Sequence, residues 1–268
     1  VPVYGSLDVA CKCMGVLAQY GRYLKSYHAV SNFILNWGAK AKPEGRKLID
    51  NALGDGRLAL LENEAKALFR HHGAPVTSDV LAKTAEEAAE AAGKIDGNVA
   101  LKISSPDILH KSEAKGVVLN LSSKKQVKKA FSDIMRDARA YKADARIEGV
   151  LVSPMVEKGV EVIIGTKIDD QFGPVIMYGL GGILVEILKD VTFRVLPITR
   201  RTAQHMIEET KSSAILNGIR GEKPYDKKAL VNLILACSDI IEAYPQIQEL
   251  DLNPVIVHHK GLSIVDAR

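Results

Sequence analysis

Apolar and polar positions follow regular periods along the chain from about residue 57 to its end. Apolar residues that recur every three to four positions predict helices, and short apolar or alternating runs predict strands. The predicted helices cover residues 58–72, 85–95, 124–142, 199–209 and 227–244. The predicted strands cover residues 75–82, 98–103, 116–121, 149–156, 160–169, 173–180, 193–198, 247–257 and 262–268. Thr84 and either Ser122 or Ser123 stand just before two of the helices, where N-cap residues are expected.

Short connections between the strands favour antiparallel pairing. Residues 98–103 and 116–121 are expected to form a hairpin, and residues 149–156, 160–169 and 173–180 follow each other closely enough for a meander. Because helices are mixed with antiparallel strands, the sequence predicts an α+β fold more than a doubly wound parallel sheet. Neither GxGxxG nor GxxxxGK followed by Ser or Thr occurs, so the commonest nucleotide-binding motifs are excluded.

The first 50 residues differ from the rest in charge. They hold seven Lys/Arg and three Asp/Glu, so their balance of +4 equals the net charge of the whole chain. Residues 1–6 predict a strand end and a turn, residues 7–26 an amphipathic helix, and residues 39–47 a linker. One strand and one helix cannot bury a core, so this segment is interpreted as the tail of a preceding domain. Nothing in it resembles a nucleic-acid recognition element, and a surface that docks another protein is favoured.

Composition limits the class of protein further. A hydrophobic content of 47% and a charged content of 25% are typical of a soluble globular protein. No apolar run approaches the roughly 18 residues of a membrane span, and no signal-peptide pattern opens the chain, so we expect a cytoplasmic protein without membrane contact. The three cysteines do not make a disulfide framework, and Cys11 and Cys13 lack the second ligand pair of a zinc site.

Two cationic residues mark the segment around SPDILHKSEAKGV (105–117). Lys102 lies inside an otherwise apolar strand, where a lysine is costly unless it is paired. It either reaches solvent from a sheet edge or binds phosphate. His110, beside Lys111 in the polar loop, is either a solvated loop residue or a nucleophile towards phosphorus whose anionic product nearby cations would stabilise.

Oxygen-bearing side chains recur in the later strands. Glu161 stands between apolar positions and should face away from them, towards solvent or towards ribose hydroxyls. Asp251 and Asn253 alternate on one strand and share a face, with Asp266 on the next strand. This set suits Mg²⁺, which takes one or two carboxylates plus waters and substrate phosphates, although two solvated positions beside a turn would show the same pattern. The glycines of YGLGGILVE (178–186) either admit an anion to backbone amides or form an ordinary turn.

Five segments carry a resemblance to a known family. They are ENEAKALFRHHGAPV, VALKISSPDILHKSEAKGV, PMVEKGVEVIIG, FGPVIMYGLGGILVEILKDVTFRVLPI and ELDLNPV. In order and spacing they resemble the ATP-grasp portion of ADP-forming acyl-CoA synthetases, which is the beta-type subunit of acetate–CoA ligase (ADP-forming). They are similar, more distantly, to the succinyl-CoA synthetase beta subunit. The resemblance implies an ATP-grasp fold of two α+β subdomains over residues 51–268, with a hinge near 150–158. It also makes residues 1–50 the tail and linker of a preceding CoA-ligase-type domain.

The resemblance implies roles for the matching residues. His110 would be the catalytic histidine that shuttles phosphate on a mobile loop. Lys102 would bind the nucleotide phosphates, Glu161 the ribose, and the backbone of residues 153–157 the adenine. The residues implied in nucleotide binding are Lys102, Ser153, Met155, Val156, Glu157, Glu161, Gly181, Gly182 and Arg194. The implied magnesium ligands are Asp251, Asn253 and Asp266.

The implied reaction is acyl-CoA + ADP + phosphate ⇌ carboxylic acid + CoA + ATP, through an acyl phosphate and a phosphohistidine, with ATP/ADP and Mg²⁺ as cofactors. CoA and the carboxylic acid would bind to an alpha-type CoA-binding subunit or domain in an oligomeric assembly. The chain reads Lys115–Gly116 where the family usually has two glycines, which bears on the mobility of the loop. Two other interpretations stay open: a non-catalytic nucleotide-sensing module of a fused acyltransferase-type protein, and a carboxylate–amine ligase that needs no phosphohistidine.

Overall fold

Two antiparallel sheets with helices packed on them make up the fold. The computed structural model describes residues 3–26, 40–182, 190–211, 213–218, 221 and 223–268. The helices are α1 Leu7–Ser26, α2 Pro43–Gly54, α3 Glu62–His71, α4 Ala85–Ala92, α5 Lys124–Tyr141, α6 Arg200–Glu209, α7 Ser213–Leu216 and α8 Lys227–Ala243. The strands are β1 Val80–Ala82, β2 Val99–Ser104, β3 Val117–Leu121, β4 Gly149–Pro154, β5 Val160–Asp169, β6 Gly173–Leu180, β7 Val191–Val195, β8 Glu249–Val257 and β9 Leu262–Ile264.

The first sheet has the strand order β1-β4-β2-β3, and α4 and α5 cover one of its faces. Both helices begin at a side-chain cap: the hydroxyls of Thr84 and Ser123 accept hydrogen bonds from the backbone N–H groups of Glu87 and Gln126. Alternate residues of the strands face these helices and form the first core. Its largest members include Leu101, Ile103, Val150, Val152, Phe131 and Ile134.

The second sheet has the order β7-β6-β5-β8-β9. Its core face packs against α3, α6 and α8, in a larger cluster that includes Phe69, Ile164, Tyr178, Met206 and Ile234. Strands β5, β6 and β7 form a continuous antiparallel meander, and β8 and β9 form a hairpin with a turn at residues 258–261. Within the described residues, no helix of that core lies on the opposite face of this sheet, which is called the helix-free face and carries the polar residues of the site.

Two expectations about individual elements were wrong. Strand β4 does not open a meander with β5 and β6, because it pairs with β1 and β2 in the first sheet and the chain then crosses to the second sheet over residues 155–159. Residues 43–47 are not part of a linker, since α2 begins at Pro43 and buries Ile49 and Ala52. Proline at the first helical position and the apolar spacing after it outweigh the polar composition of the segment.

Helix α1 is confirmed, and its side chains are largely uncovered. Leu7 is 81% exposed, Met14 65% and Leu17 59%, so its apolar residues contact little of the described chain. Residues 3–6 form no strand, and residues 1 and 2 of the expected strand end lie outside the described residues. Within the described part of the chain, no helix combines the length and apolar character needed to cross a bilayer.

Candidate phosphoryl-transfer site

Lys102 is buried on the face of the first sheet that points away from α4 and α5. Strand β2 lies between β4 and β3, so an escape of this side chain to solvent from a sheet edge is excluded. Lys102 is 5% exposed, and its ammonium donates hydrogen bonds of 2.7 Å to Glu62 Oε1 and of 2.7 Å to the carbonyl of Val265. It also lies 3.9 Å from Asp266 Oδ2. A cation of the first sheet is therefore held by groups that come from α3 and from the segment after β9.

Glu62 gathers three lysines around one buried carboxylate. Lys66 donates to its Oε1 at 2.8 Å and Lys102 at 2.7 Å, while Lys111 donates to its Oε2. Burial alone would raise the pKa of Glu62, but the charges of Lys102, Lys111 and Lys66 outweigh it and lower the pKa from 4.5 to about 2. Glu62 is thus ionised at any physiological pH, and it fixes the ammonium of Lys102 in place.

Lys111 connects the polar loop after β2 to the acidic residues of the second sheet. Its ammonium lies 3.0 Å and 2.9 Å from the two carboxylate oxygens of Asp266, in addition to its bond to Glu62. Burial acts to lower the pKa of Lys111, but the carboxylates of Glu62 and Asp266 together raise it. Lys111 is therefore a firmly charged partner of Asp266.

His110 stands at the mouth of a cavity of about 440 Å³. Its side chain is 68% exposed, and within its own loop it faces Glu113 at 3.9 Å. The cavity is lined by both subdomains and by the segment before α3, including Leu61, Glu62, Ser104, His110, Lys111, Asp251, Asn253 and Asp266. The imidazole is thus largely exposed, and it borders the same space as the acidic residues.

The backbone of the loop explains the glycine next to Lys115. Lys115 has φ +51°, in the left-handed region that glycine adopts without steric strain. A Cβ at Gly116 would lie 3.1 Å from both the Ile103 Cβ and the Lys111 carbonyl oxygen and would also contact the Ile103 Cγ2. Gly116 therefore permits the close approach of the loop to β2, whereas Lys115 holds a conformation that costs about 1 kcal/mol for a residue with a side chain.

Asp251, Asn253 and Asp266 meet at one wall of the cavity. The pairing of β5 with β8 puts Asp251 opposite Gly165 on the helix-free face of the second sheet, and the alternation of β8 keeps Asn253 on that face. Asp266 lies just beyond β9, where Arg268 and Asp251 exchange backbone hydrogen bonds of 2.8 and 2.9 Å. Burial and the nearby carboxylate of Asp266 raise the pKa of Asp251.

The donor set at this wall fits Mg²⁺. It consists of two carboxylates and one side-chain amide, which are hard oxygen donors. Mg²⁺ is usually bound by one or two carboxylates together with waters and substrate phosphates. Among the described residues, no group of three or more His, Cys, Asp or Glu side chains is arranged to hold a metal ion by itself.

Glu161 and the glycine pair lie together on the helix-free face of the second sheet. Glu161 is exposed between the buried Val160 and Val162, as its alternation predicted. The Gly181 N–H donates to the Glu161 carbonyl at 2.9 Å, and a Cβ on Gly182 would lie 3.0 Å from Glu161 Oε2. Gly182 has φ +66°. The last part of the glycine-rich motif, residues 183–186, lies outside the described residues.

Residues 153–157 form the end of β4 and the crossing between the sheets. Ser153 pairs with Ala100, so it shares the face of Lys102, and the backbone N–H of Met155 donates to the Asn98 carbonyl at 2.9 Å. Met155 and Val156 are half-buried, and Glu157 is exposed. The buried hydroxyls of Ser153 and Ser104, both on this face, have no hydrogen-bond partner in the described part of the chain. Such groups stay unpaired at a cost unless a ligand or water meets them.

Arg194 is not brought to this site. It pairs with Ile176 across β7 and β6, which places it on the helix side of the second sheet, opposite to Glu161 and Asn253. Its guanidinium makes two 2.6 Å contacts with the carboxylate of Glu209 at the end of α6. The strand period alone would have put Phe193 and Val195, not Arg194, on the helix-free face of the sheet.

Two residues of the site were missed by the sequence interpretation. Glu62 and Lys111 both stand in the quoted motifs, but neither was assigned a role. The available signals were the Glu62–Lys66 spacing of four residues, which places both on one helix face, and the position of Lys111 directly after His110. Neither signal reveals that the two residues, far apart in the chain, form an ion pair.

Comparison with known proteins decides the family. A family model described as an ATP-grasp domain matches residues 51–268. The chain belongs to the ATP-grasp family. It is 50% identical over 230 residues to the acetate–CoA ligase (ADP-forming) II subunit beta of Pyrococcus furiosus, which covers 85% of this chain and 98% of the relative. It is 40% identical over 271 residues to the 4-hydroxybutyrate–CoA ligase (ADP-forming) of Nitrosopumilus maritimus, of which it spans only 38%.

A solved structure extends the likeness to the fold. This chain superposes with a TM-score of 0.73 on a chain of the dinucleotide forming acetyl-coenzyme A synthetase 1 of Ca. Korarchaeum cryptofilum. The two are 41% identical, and the match covers 84% of this chain and 98% of the other chain. That structure is a complex with coenzyme A and Mg-AMPPCP in which a phosphohistidine segment points towards the nucleotide binding site. The expected α+β fold of the ATP-grasp type is thereby confirmed, as is the resemblance to ADP-forming acid–CoA ligases.

Proposed function

We propose that this chain is the nucleotide-binding, phosphoryl-transferring part of an ADP-forming acyl-CoA synthetase. With its partner it would catalyse acyl-CoA + ADP + phosphate ⇌ carboxylic acid + CoA + ATP through an acyl phosphate. The observation that carries the proposal is the meeting of His110 with Asp251, Asn253 and Asp266 around one cavity, while Lys102 lies 3.9 Å from Asp266. Identity of 50% to a beta subunit of an acetate–CoA ligase supports the same reaction class.

The side chains of the site account for the transfer in physical terms. Phosphoryl transfer needs positioning and charge neutralisation more than covalent work by the protein. Lys102, which Glu62 holds in place, would neutralise part of the negative charge of the polyphosphate. The Ser153 hydroxyl on the same face has no hydrogen-bond partner in the described part of the chain, which supports the binding of a polar ligand there. Asp251, Asn253 and Asp266 are the residues that would hold Mg²⁺, which when bound supplies further neutralisation of the phosphates.

His110 would carry the phosphoryl group. Its imidazole would form a phosphorus–nitrogen bond to the terminal phosphorus of ATP while the phosphorus–oxygen bond to ADP breaks. The exposure of His110 beside the cavity supports this role, because a covalent phosphohistidine on a loop divides a transfer between distant sites into two short steps. The reverse sequence would make ATP from a phosphohistidine loaded by the acyl phosphate.

The acid and CoA would bind elsewhere, on an alpha-type subunit or domain. This chain spans only 38% of the 4-hydroxybutyrate–CoA ligase, which supports the view that further domains of that relative carry other parts of its reaction. We also propose that residues 1–39 are the tail of such a CoA-ligase-type domain, since α2 from Pro43 onwards packs on the ATP-grasp fold. The exposed apolar side chains of α1 support this, because single-helix surfaces of this kind mark contacts with another protein surface. The cytoplasmic location and the oligomeric assembly stay predictions.

A labelling experiment tests the proposed function. The chain is incubated with Mg²⁺ and ATP labelled at the terminal phosphate, and the protein-bound label is treated with acid and with alkali. We expect label that acid removes and alkali does not, the behaviour of a phosphohistidine. His110→Asn should reduce it at least about a hundredfold, since the nucleophile is gone. His205→Asn, which alters an exposed histidine on α6, should leave it unchanged.

Other outcomes favour the other interpretations. Nucleotide binding to the wild-type chain without any label would contradict the relay and support a nucleotide-sensing module. Release of ADP that depends on an amine acceptor and not on CoA would support a carboxylate–amine ligase.

A further inference from the structure

The loop that carries His110 is anchored in the core at both ends, and residues 109–113 between the anchors are exposed or half-buried. Ile108 and Ala114 are each 2% exposed and belong to the core of the first subdomain. Ser105 and Asp107 add hydrogen bonds to the Arg146 backbone at 2.6 and 2.7 Å. The segment between the two apolar anchors, residues 109–113, is therefore the part of the loop that is able to change position.

Lys111 ties this free segment to the opposite wall of the cavity. Its ammonium contacts both oxygens of Asp266, at 3.0 and 2.9 Å, and also Glu62. His110 and Glu113 face each other within the loop at 3.9 Å. Among the described hydrogen bonds and ion pairs of residues 109–113, those of Lys111 are the ones that reach α3 and the segment after β9.

Lys111 is part of a cluster of paired charges. Three lysines (Lys66, Lys102 and Lys111) face three carboxylates (Glu62, Asp79 and Asp266) in this cluster. A divalent cation at Asp266 would add two positive charges at the oxygens that Lys111 occupies, beside the carboxylate of Asp251. The two cations repel each other at these oxygens, so each weakens the binding of the other.

We propose that Lys111 is a positioning residue that holds the His110 loop at Asp266 until a divalent metal takes this carboxylate. This inference rests on the proposed function, in which Asp266 is a metal ligand and His110 the phosphoryl carrier. When Lys111 leaves both Asp266 and Glu62, residues 109–113 lose their described contacts with α3 and with the segment after β9, and Glu62 keeps Lys66 and Lys102 as partners. The loop is thus released by the same metal that the phosphoryl transfer requires, and linkage makes the effect reciprocal: docking of Lys111 weakens metal binding.

Amide hydrogen exchange of the full chain without nucleotide tests the proposal directly, with Mn²⁺ as the probe metal. In the wild type, Mn²⁺ should accelerate exchange of the amides of residues 114–116 on the order of tenfold, the size typical of coupling between two sites, because these amides donate hydrogen bonds to the carbonyls of residues 110–112. In Lys111→Met these amides should exchange fast already without metal and should not respond to it. The dissociation constant of Lys111→Met for Mn²⁺, measured from the paramagnetic resonance signal of the free ion, should be about tenfold lower than that of the wild type.

Two further variants separate positioning from general structural effects. Lys115→Gln removes a positive charge from the same loop, but Lys115 is exposed and has no ion pair in the described structure, so both readouts should stay at wild-type values. Lys111→Arg keeps the charge and should restore slow exchange in the absence of metal.

The proposal is overturned if Mn²⁺ slows or leaves unchanged the exchange of the amides of residues 114–116 in the wild type, a result that does not depend on the folding of any variant. It is also overturned if Lys111→Met and Lys115→Gln change metal affinity equally. Failure of the proposed function looks different, because the wild-type chain would then bind nucleotide without acquiring label on His110. A labelled His110 on a loop that ignores the metal would leave the relay standing and remove the role of Lys111.

Discussion

Glu62 shows how much of this site depends on a single buried charge. The residue is 6% exposed, and its carboxylate binds lysines from three parts of the chain: Lys66 on its own helix, Lys102 on β2 and Lys111 in the loop. Lys102, His110 and Asp266 were named as candidates in the sequence, and the resemblance assigned their roles. Glu62 was not, since a glutamate at the start of a helix is ordinary and its burial depends on elements distant in the chain.

Replacement of Glu62 by Gln should destabilise the fold and reduce its sensitivity to acid. Loss of one partner from a buried ion pair typically costs roughly 3–5 kcal/mol, so the free energy of unfolding should fall by about that amount at pH 7. The folded-state pKa of about 2 lies below the ordinary 4.5, so Glu62 stabilises the fold fully above pH 4.5 and loses this contribution between pH 4.5 and 2. Urea unfolding at several pH values measures both effects.

The acid-dependent loss of stability in that window should be smaller in Glu62→Gln than in the wild type. Glu90→Gln is the matched control, because Glu90 is exposed on α4, and its effect should stay within about 0.5 kcal/mol. Equal acid sensitivity of the Glu62 variant and the wild type would show that the three lysines do not act on this carboxylate.

Elements were predicted well where the signal is local and less well where it depends on partners. The hairpin of β2 and β3 and the caps Thr84 and Ser123 follow from adjacent residues, and the structure has them. Strand β4 was assigned to the wrong sheet because its alternation of buried residues is the same in either sheet. Its sheet is decided by which core Val150 and Val152 enter, and that is a property of the assembled fold.

Helix α2 offers a test of how an element is fitted to the core. A Cβ at Gly45 would lie 2.7 Å from Tyr244 Cζ and 2.8 Å from Leu68 Cδ1, and Tyr244 is 1% exposed and cannot easily move. Gly45→Ala should therefore lower the free energy of unfolding by about 1–3 kcal/mol through overpacking. Gly54→Ala, in the same helix with no atom within 4 Å of the new Cβ, should be neutral or stabilise by up to about 1 kcal/mol. Thermal and urea unfolding of both variants gives the comparison, and equal effects would mean that α2 does not pack against Tyr244 as described.

The whole molecule works by bringing two sheets together around groups that neither sheet supplies alone. Lys102 comes from the first sheet, Asp251 and Asn253 from the second, and Glu62 from a helix before both. The order of these motifs along the chain identified the family, but their convergence was implied by the resemblance and not by the residues themselves. Alternation and capping depend on neighbouring residues. The crossing of the chain from β4 in the first sheet to β5 in the second depends on the assembled fold.

Removal of residues 1–39 should leave the fold and its nucleotide site intact. The side chains described in α1 are exposed or half-buried, so few of their contacts stabilise the remainder. A chain of residues 40–268 should unfold within about 2 °C of the full chain, and Mg-ADP should raise both midpoints equally, because binding to the folded state alone adds the same free energy to each. A chain of residues 55–268 is the matched control. It also loses Ile49 and Ala52 from the core and should unfold at least about 5 °C lower. If the shorter deletion already produced that drop, α1 would have to pack on the ATP-grasp fold, and its exposed apolar face would no longer support a contact with a separate CoA-binding domain.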